Sequence, residues 1–139
     1  MTDWIRSQKP SGNPEDLGPL QLAWLGDAVW EMHQRIRYCK KPGRAKELHK
    51  AVVSEVKACA QVEALSTLEP YLTEVEKNYV KRGRNRSSRG PRKLDAATYA
   101  MATGFETMVG WLFLKNPKRL AELFDSLQES PPDIELLKQ

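Results

Sequence analysis

The stretch Leu22-Ala23-Trp24-Leu25-Gly26-Asp27-Ala28-Val29-Trp30-Glu31 decides how this 139-residue chain is read. Leu22, Leu25 and Val29, continued by Met32 and Ile36, recur at three- and four-residue spacing, the period of an amphipathic helix. Asp27 sits inside this run beside a glycine. A second helix-patterned run, Thr103-Gly104-Phe105-Glu106-Thr107-Met108-Val109-Gly110-Trp111-Leu112-Phe113-Leu114, repeats the arrangement around Glu106. A carboxylate in an apolar setting is costly unless paired, hydrogen-bonded or metal-bound. Glycine inside a helix costs about 1 kcal/mol relative to alanine. Gly26 and Gly110 make sense beside these acids if two helices approach closely there, which would bring Asp27 and Glu106 together. Two bare carboxylates at short range repel and raise one pKa. A hard divalent cation removes that conflict, and Mg²⁺ takes oxygen ligands while keeping waters. For either acid alone, the competing reading is a buried residue paired with an arginine or a helix end.

Between the two runs lies Lys81-Arg82-Gly83-Arg84-Asn85-Arg86-Ser87-Ser88-Arg89-Gly90-Pro91-Arg92-Lys93, with seven basic residues and no acid. The whole chain has a net charge of +4, from 22 Lys/Arg against 18 Asp/Glu, so the remainder is slightly acidic. Positive charge concentrated in this way is the footprint expected for contact with phosphates. The alternative is a solvated charge run in a loop.

The length suits one domain with one core. With 40% hydrophobic and 29% charged residues the composition is that of a globular protein. No apolar run approaches the ~20 residues that span a bilayer, and no signal-peptide h-region is visible, so the expected location is the cytoplasm. Cys39 and Cys59 lack zinc or CxxC spacing and read as reduced thiols, in the core or near the surface. His33 and His49 have no Ser or Cys partner pattern, so no nucleophilic triad is apparent.

The periodicity predicts an all-α chain. Residues 1–14 form a loose leader, 15–128 the domain and 129–139 a polar tail. A first helix is expected from about Glu15 to Tyr38 and a second from Arg44 to Leu65, the latter with Ala45, Leu48, Val52, Val56, Cys59 and Val62 inward. Thr73 with Glu76 is a capping-box pattern that starts a third helix, expected to fray into a basic loop near Gly83. Asp95 is the expected cap of a fourth helix ending near Leu114, with Met101, Phe105, Met108, Val109 and Leu112 as its core stripe. Asn116-Pro117 opens a fifth helix, with Leu120, Leu123, Phe124 and Leu127 inward.

On the first helix Asp27 lies nearly opposite the Leu22/Leu25/Val29/Met32/Ile36 stripe, on a face with Leu20, Trp24, Glu31 and Tyr38. Apolar groups on both sides imply a central helix or one shared with another chain. The expectation is a homodimer with Leu20, Trp24 and Tyr38 at the seam. Glu31, one turn after Asp27, reads as a group behind the metal ligands or as a surface or interface charge.

Leu25-Gly26-Asp27-Ala28-Val29 resembles the signature of ribonuclease III catalytic domains, and Gly104-Phe105-Glu106-Thr107-Met108-Val109-Gly110 resembles that family's second acidic motif. The short chain, the Arg82-Gly83-Arg84-Asn85 element and the lack of a following RNA-binding domain resemble the family's Mini-ribonuclease III branch. The similarity runs over roughly residues 17 to 128. It implies a homodimeric helical bundle that pairs through the signature-helix region. It also implies cleavage of double-stranded RNA to 5′-phosphate ends, and maturation of large-subunit (23S) ribosomal RNA. Family sites typically carry four acids. Here the corresponding positions include Leu20, Ala23 and Thr103, so only Asp27 and Glu106 carry over as catalytic and metal-binding residues. A two-metal mechanism therefore does not follow. His49 in Leu48-His49-Lys50 matches a recurrent feature of the branch.

The function expected is thus a Mg²⁺-dependent endoribonuclease. Its RNA-binding residues would be Lys81, Arg82, Arg84, Asn85, Arg86, Arg89, Arg92 and Lys93, because A-form RNA is gripped mainly by shape, phosphates and 2′-hydroxyls. Substrate choice would come from this segment or from a ribosomal-protein helper. A non-catalytic duplex-RNA-binding or ribosome-assembly factor stays open as the alternative, favoured by the missing acids. A helical interaction protein is a third reading.

Overall fold

The computed structural model describes residues 12–39, 42–46 and 54–127, and among these every element is helical. The helices are α1 (Pro19–Tyr38), α2 (Ser54–Leu68), α3 (Glu74–Arg86), α4 (Ala96–Lys115) and α5 (Pro117–Ser126), with short 3₁₀ turns at Pro14–Asp16 and Glu69–Tyr71. No described helix is long and apolar enough to cross a membrane. The 1–14 leader and 129–139 tail fall mostly outside the described residues, as do Leu48, His49 and Val52.

α4 is the axle of the fold. Glu106 is its only charged residue before Lys115, and a helix apolar all round belongs in a core. Phe105, Met108 and Val109 are fully buried, and Ala102, Thr103, Gly104, Thr107, Gly110, Trp111, Leu112 and Leu114 are buried as well. The buried surface is therefore wider than the predicted stripe, whose Met101 is only partly buried. Asp95 caps the helix by accepting from the Thr98 N–H at 3.2 Å. Asn116 caps α5, its side chain accepting from the Arg119 N–H at 3.1 Å, with Pro117 in the first turn.

α1 and α3 lie against α4 at glycine contacts. A methyl group on Gly26 would overlap the Glu106 carbonyl, and one on Gly110 would overlap the Leu22 carbonyl. A methyl on Gly83 would run into Thr107. The expected close approach at Gly26 and Gly110 is thus present, and Gly83 adds a second.

Several expectations need correction. α1 begins at Pro19, not Glu15, because Gly18 is held extended before the proline at φ −68°, ψ 156°. Its buried face is Leu22, Ala23, Gly26, Trp30, Gln34, Arg37 and Tyr38, and Leu25 and Val29 are only partly buried. Met32 (52%) and Ile36 (61%) are exposed, contrary to the predicted stripe. Trp30 explains the rotation: its ring meets Phe105 and Phe124 edge-on at 5.1 and 5.6 Å and draws that side inward. On α2, Cys59 is exposed, and the inward face is Ala58, Gln61, Ala64, Leu65 and Leu68. α3 does not fray at Gly83 but runs to Arg86, since Gly83 is a packing contact rather than a stop. Its predicted capping box forms: the Thr73 hydroxyl accepts from the Glu76 N–H at 3.1 Å, and the Thr73 N–H donates to Glu76 Oε1 at 2.8 Å. Arg119 then clamps the buried Glu76 carboxylate with two bonds of 2.9 and 3.0 Å, tying α5 to the start of α3.

Candidate active site

Asp27 projects from α1 and Glu106 from α4 across the Gly26 contact, where backbone-to-backbone approach brings their carboxyls into hydrogen-bond contact. α2 supplies two further groups. Lys57 Nζ donates to Asp27 Oδ1 at 2.8 Å, and Gln61 Nε2 donates to Glu106 Oε2 at 3.2 Å. Lys57 and Gln61 are one helical turn apart, so a single face of α2 holds both acids.

The electrostatics are uneven. Burial pushes the Glu106 carboxyl up to about 8, helped by the hydrogen bond to Asp27 and its charge, while Gln61 and Lys57 oppose the shift. At neutral pH the Glu106 carboxyl therefore keeps its proton and donates to Asp27. Burial alone would lower the Lys57 pKa, but the hydrogen bond and charge of Asp27, with the charges of Glu106 and Glu31, outweigh it and leave it raised. Lys57 stays an ammonium.

This donor set fits a divalent cation. Two carboxyls meet, and burial together with the Asp27 carboxylate beside it holds the proton on Glu106. A cation that displaced that proton would find one or two carboxylates, the number Mg²⁺ usually takes from protein. Among the described residues no group of three or more His, Cys, Asp or Glu is placed to hold a metal.

The two acids open into a cleft of about 300 Å³. Its walls include Leu20, Ala23 and Thr103, the three positions where the resemblance expects acids, and Trp24. The Thr103 hydroxyl donates to the Tyr99 carbonyl at 2.9 Å and is therefore occupied by its own helix. Ser87 and Ser88, from the middle of the cationic segment, close another wall.

The cationic segment is not the loop expected from sequence. Lys81, Arg82, Arg84, Asn85 and Arg86 ride the last turns of α3, and Arg89, Arg92 and Lys93 follow in the connection to α4. Lys81, Arg84, Asn85, Arg86, Arg92 and Lys93 are exposed. Arg82 lies over the Tyr79 ring, 5.1 Å from its centroid. Arg89 donates to the Leu94 and Pro91 carbonyls at 2.9 and 3.3 Å, so it ties the connection together. Gly90 stands at φ 77° with the Tyr99 ring against it, a position closed to other side chains. Glu31 pairs with Arg35 at 3.1 Å on the surface of α1. Of the expected seam residues, Trp24 is 80% and Leu20 48% exposed, whereas Tyr38 is buried within the chain at 7% and has little surface to offer a partner.

Sequence reading missed Lys57 and Gln61. The signal was a glutamine in the apolar row Ala58-Gln61-Leu65-Leu68, hidden because the inward face of α2 was placed about one residue out of phase.

Residues 20–117 match the ribonuclease III domain family. The chain belongs to this family of endoribonucleases. It is similar to the protein named Mini-ribonuclease 3 of Synechocystis sp., 41% identical over 86% of this chain and 85% of the relative. The Mini-ribonuclease 3 of Symbiobacterium thermophilum is 43% identical over 82% of this chain and 90% of the relative. A crystal structure of a Fusobacterium nucleatum protein superposes with a TM-score of 0.71 at 29% identity, covering 82% of this chain and 94% of that one.

Proposed function

We propose that this chain is a Mg²⁺-dependent endonuclease that cuts double-stranded RNA as a homodimer and acts in maturation of the large-subunit (23S) ribosomal RNA. The observation that carries the reading is the contact between the Asp27 and Glu106 carboxyls in an open cleft, one wall of which is the cationic segment. A bound Mg²⁺ would supply charge to orient and activate water and to stabilise the leaving 3′-oxygen. Asp27 and Glu106 would hold it, Glu106 giving up its proton to do so. Gln61 keeps the Glu106 carboxyl turned toward Asp27. Exposed Lys81, Arg84, Asn85, Arg86, Arg92 and Lys93 would track the duplex backbone, and Ser87 and Ser88 would bring that surface to the acids. The products would carry 5′-phosphates. Substrate choice would come from the cationic segment or from a ribosomal-protein helper, because the segment offers phosphate contacts but no pattern for reading bases.

The test is cleavage of duplex RNA and of precursor ribosomal RNA, with and without Mg²⁺. Wild type should cut in Mg²⁺ only, and Asp27→Asn and Glu106→Gln should still fold and bind duplex but not cut. Near-wild-type cleavage by either variant would overturn the assignment. Binding without cleavage by the wild type would instead favour the non-catalytic RNA-binding factor.

A further inference from the structure

Lys57 is unexpected at a site built to take a divalent cation. It comes from α2, a helix outside both acidic motifs, and reaches Asp27 Oδ1 at 2.8 Å, with its side chain 23% exposed. Its charge is felt by Glu106 and Glu31 as well. Surface lysines usually pair loosely. This one is largely buried against Asp27, whose carboxylate lines the cleft, and partial desolvation makes a fixed charge count for more.

The charge balance at the site is informative. With both acids ionised, Asp27, Glu106 and Lys57 sum to −1, so one divalent cation leaves the centre at +1, and a second would take it to +3 with no further carboxylate to share. Two-metal phosphodiester sites set their ions roughly 3.5–4 Å apart to clamp both sides of the phosphorus. Here the described residues bring together two carboxyls with an ammonium beside them, and no third His, Cys, Asp or Glu joins them.

We infer that Lys57 is a catalytic residue that takes the place of a second metal, its ammonium leaving Asp27 to grip a non-bridging oxygen of the scissile phosphate. The inference rests on the nuclease reading above. Lys57 moves no proton. Water oxygen bonds to phosphorus as the bond from phosphorus to the 3′-oxygen breaks; one water proton ends on the 3′-hydroxyl and the other passes to solvent. The ammonium balances the charge that gathers on the phosphoryl oxygens. A fixed donor of this kind is worth about 10²–10³ in kcat.

The test separates this role from simple support of Asp27. The RNA-free proteins are titrated with Mn²⁺ and free ion is followed by electron paramagnetic resonance; kcat is measured in parallel at saturating duplex RNA and Mg²⁺. Wild type should bind one Mn²⁺ per protomer. Lys57→Met should still bind one, roughly tenfold more tightly because a competing cation has gone. Its kcat should fall about 100-fold and should not recover with added Mg²⁺, while Lys57→Arg keeps most of the rate. If Lys57 merely positions Asp27, Lys57→Met binds Mn²⁺ more weakly and excess Mg²⁺ restores its rate, which refutes the inference. Two Mn²⁺ per wild-type protomer refutes it too. A wild type that cuts while Lys57→Met cuts equally fast refutes the inference alone; a wild type that cuts no duplex RNA refutes the nuclease reading along with it.

Discussion

Gly26 of α1 rests on the backbone carbonyl of Glu106 in α4, with no room between them for a methyl group. The same contact that packs the two central helices therefore sets the distance between the two acids.

Gly26→Ala should show this coupling. Alanine gains about 1 kcal/mol of helix propensity, but the overlap is with backbone and cannot be relieved by a side-chain rotation. A net destabilisation of about 1–3 kcal/mol is expected by urea unfolding, with loss of cleavage as the carboxyls separate. An unchanged urea midpoint would show that the helices are not held by this contact.

The raised Glu106 pKa makes a pH prediction for the metal-free protein. Between the ordinary value of 4.5 and about 8 the folded state holds a proton that the unfolded chain has released. Stability should therefore fall as pH rises through that window. In chelator, the Tm of wild type should drop from pH 5 to 8 more steeply than that of Glu106→Gln, which has no proton to lose. Parallel curves for the two proteins would place the shift elsewhere.

Trp24 is a large aromatic left 80% exposed beside the cleft. We expect it, with Leu20, to be covered by a second copy of the chain. Wild type should sediment as a dimer at micromolar concentration and Trp24→Glu as a folded monomer. A wild-type monomer would leave that face unexplained.

Duplex-RNA affinity should depend on Arg84, Arg86 and Arg92. Replacing all three by alanine should weaken binding, and each lost phosphate contact should lower the slope of log affinity against log salt by roughly 0.7–0.9, a scale set on DNA and single strands. Arg89→Ala should act differently, loosening the connection that it ties to Leu94. An unchanged slope in the triple variant would show that phosphates are gripped elsewhere.

By itself the sequence determined the helical class, the caps at Thr73, Asp95 and Asn116, the glycine contact and the pairing of Asp27 with Glu106. These follow from local chemistry: a side chain that accepts from an N–H three residues on, a glycine where no methyl fits, and an acid set beside or near such a glycine in an apolar run. Tertiary structure alone decided which way each helix turns. Trp30 rotated α1 so that Met32 and Ile36 face out, and Gly83 extended α3 through half of the basic segment. Lys57 and Gln61 reached the site because α2 packs on α4, an arrangement that depends on the fit of whole helix surfaces and leaves only a one-residue ambiguity of phase in the sequence.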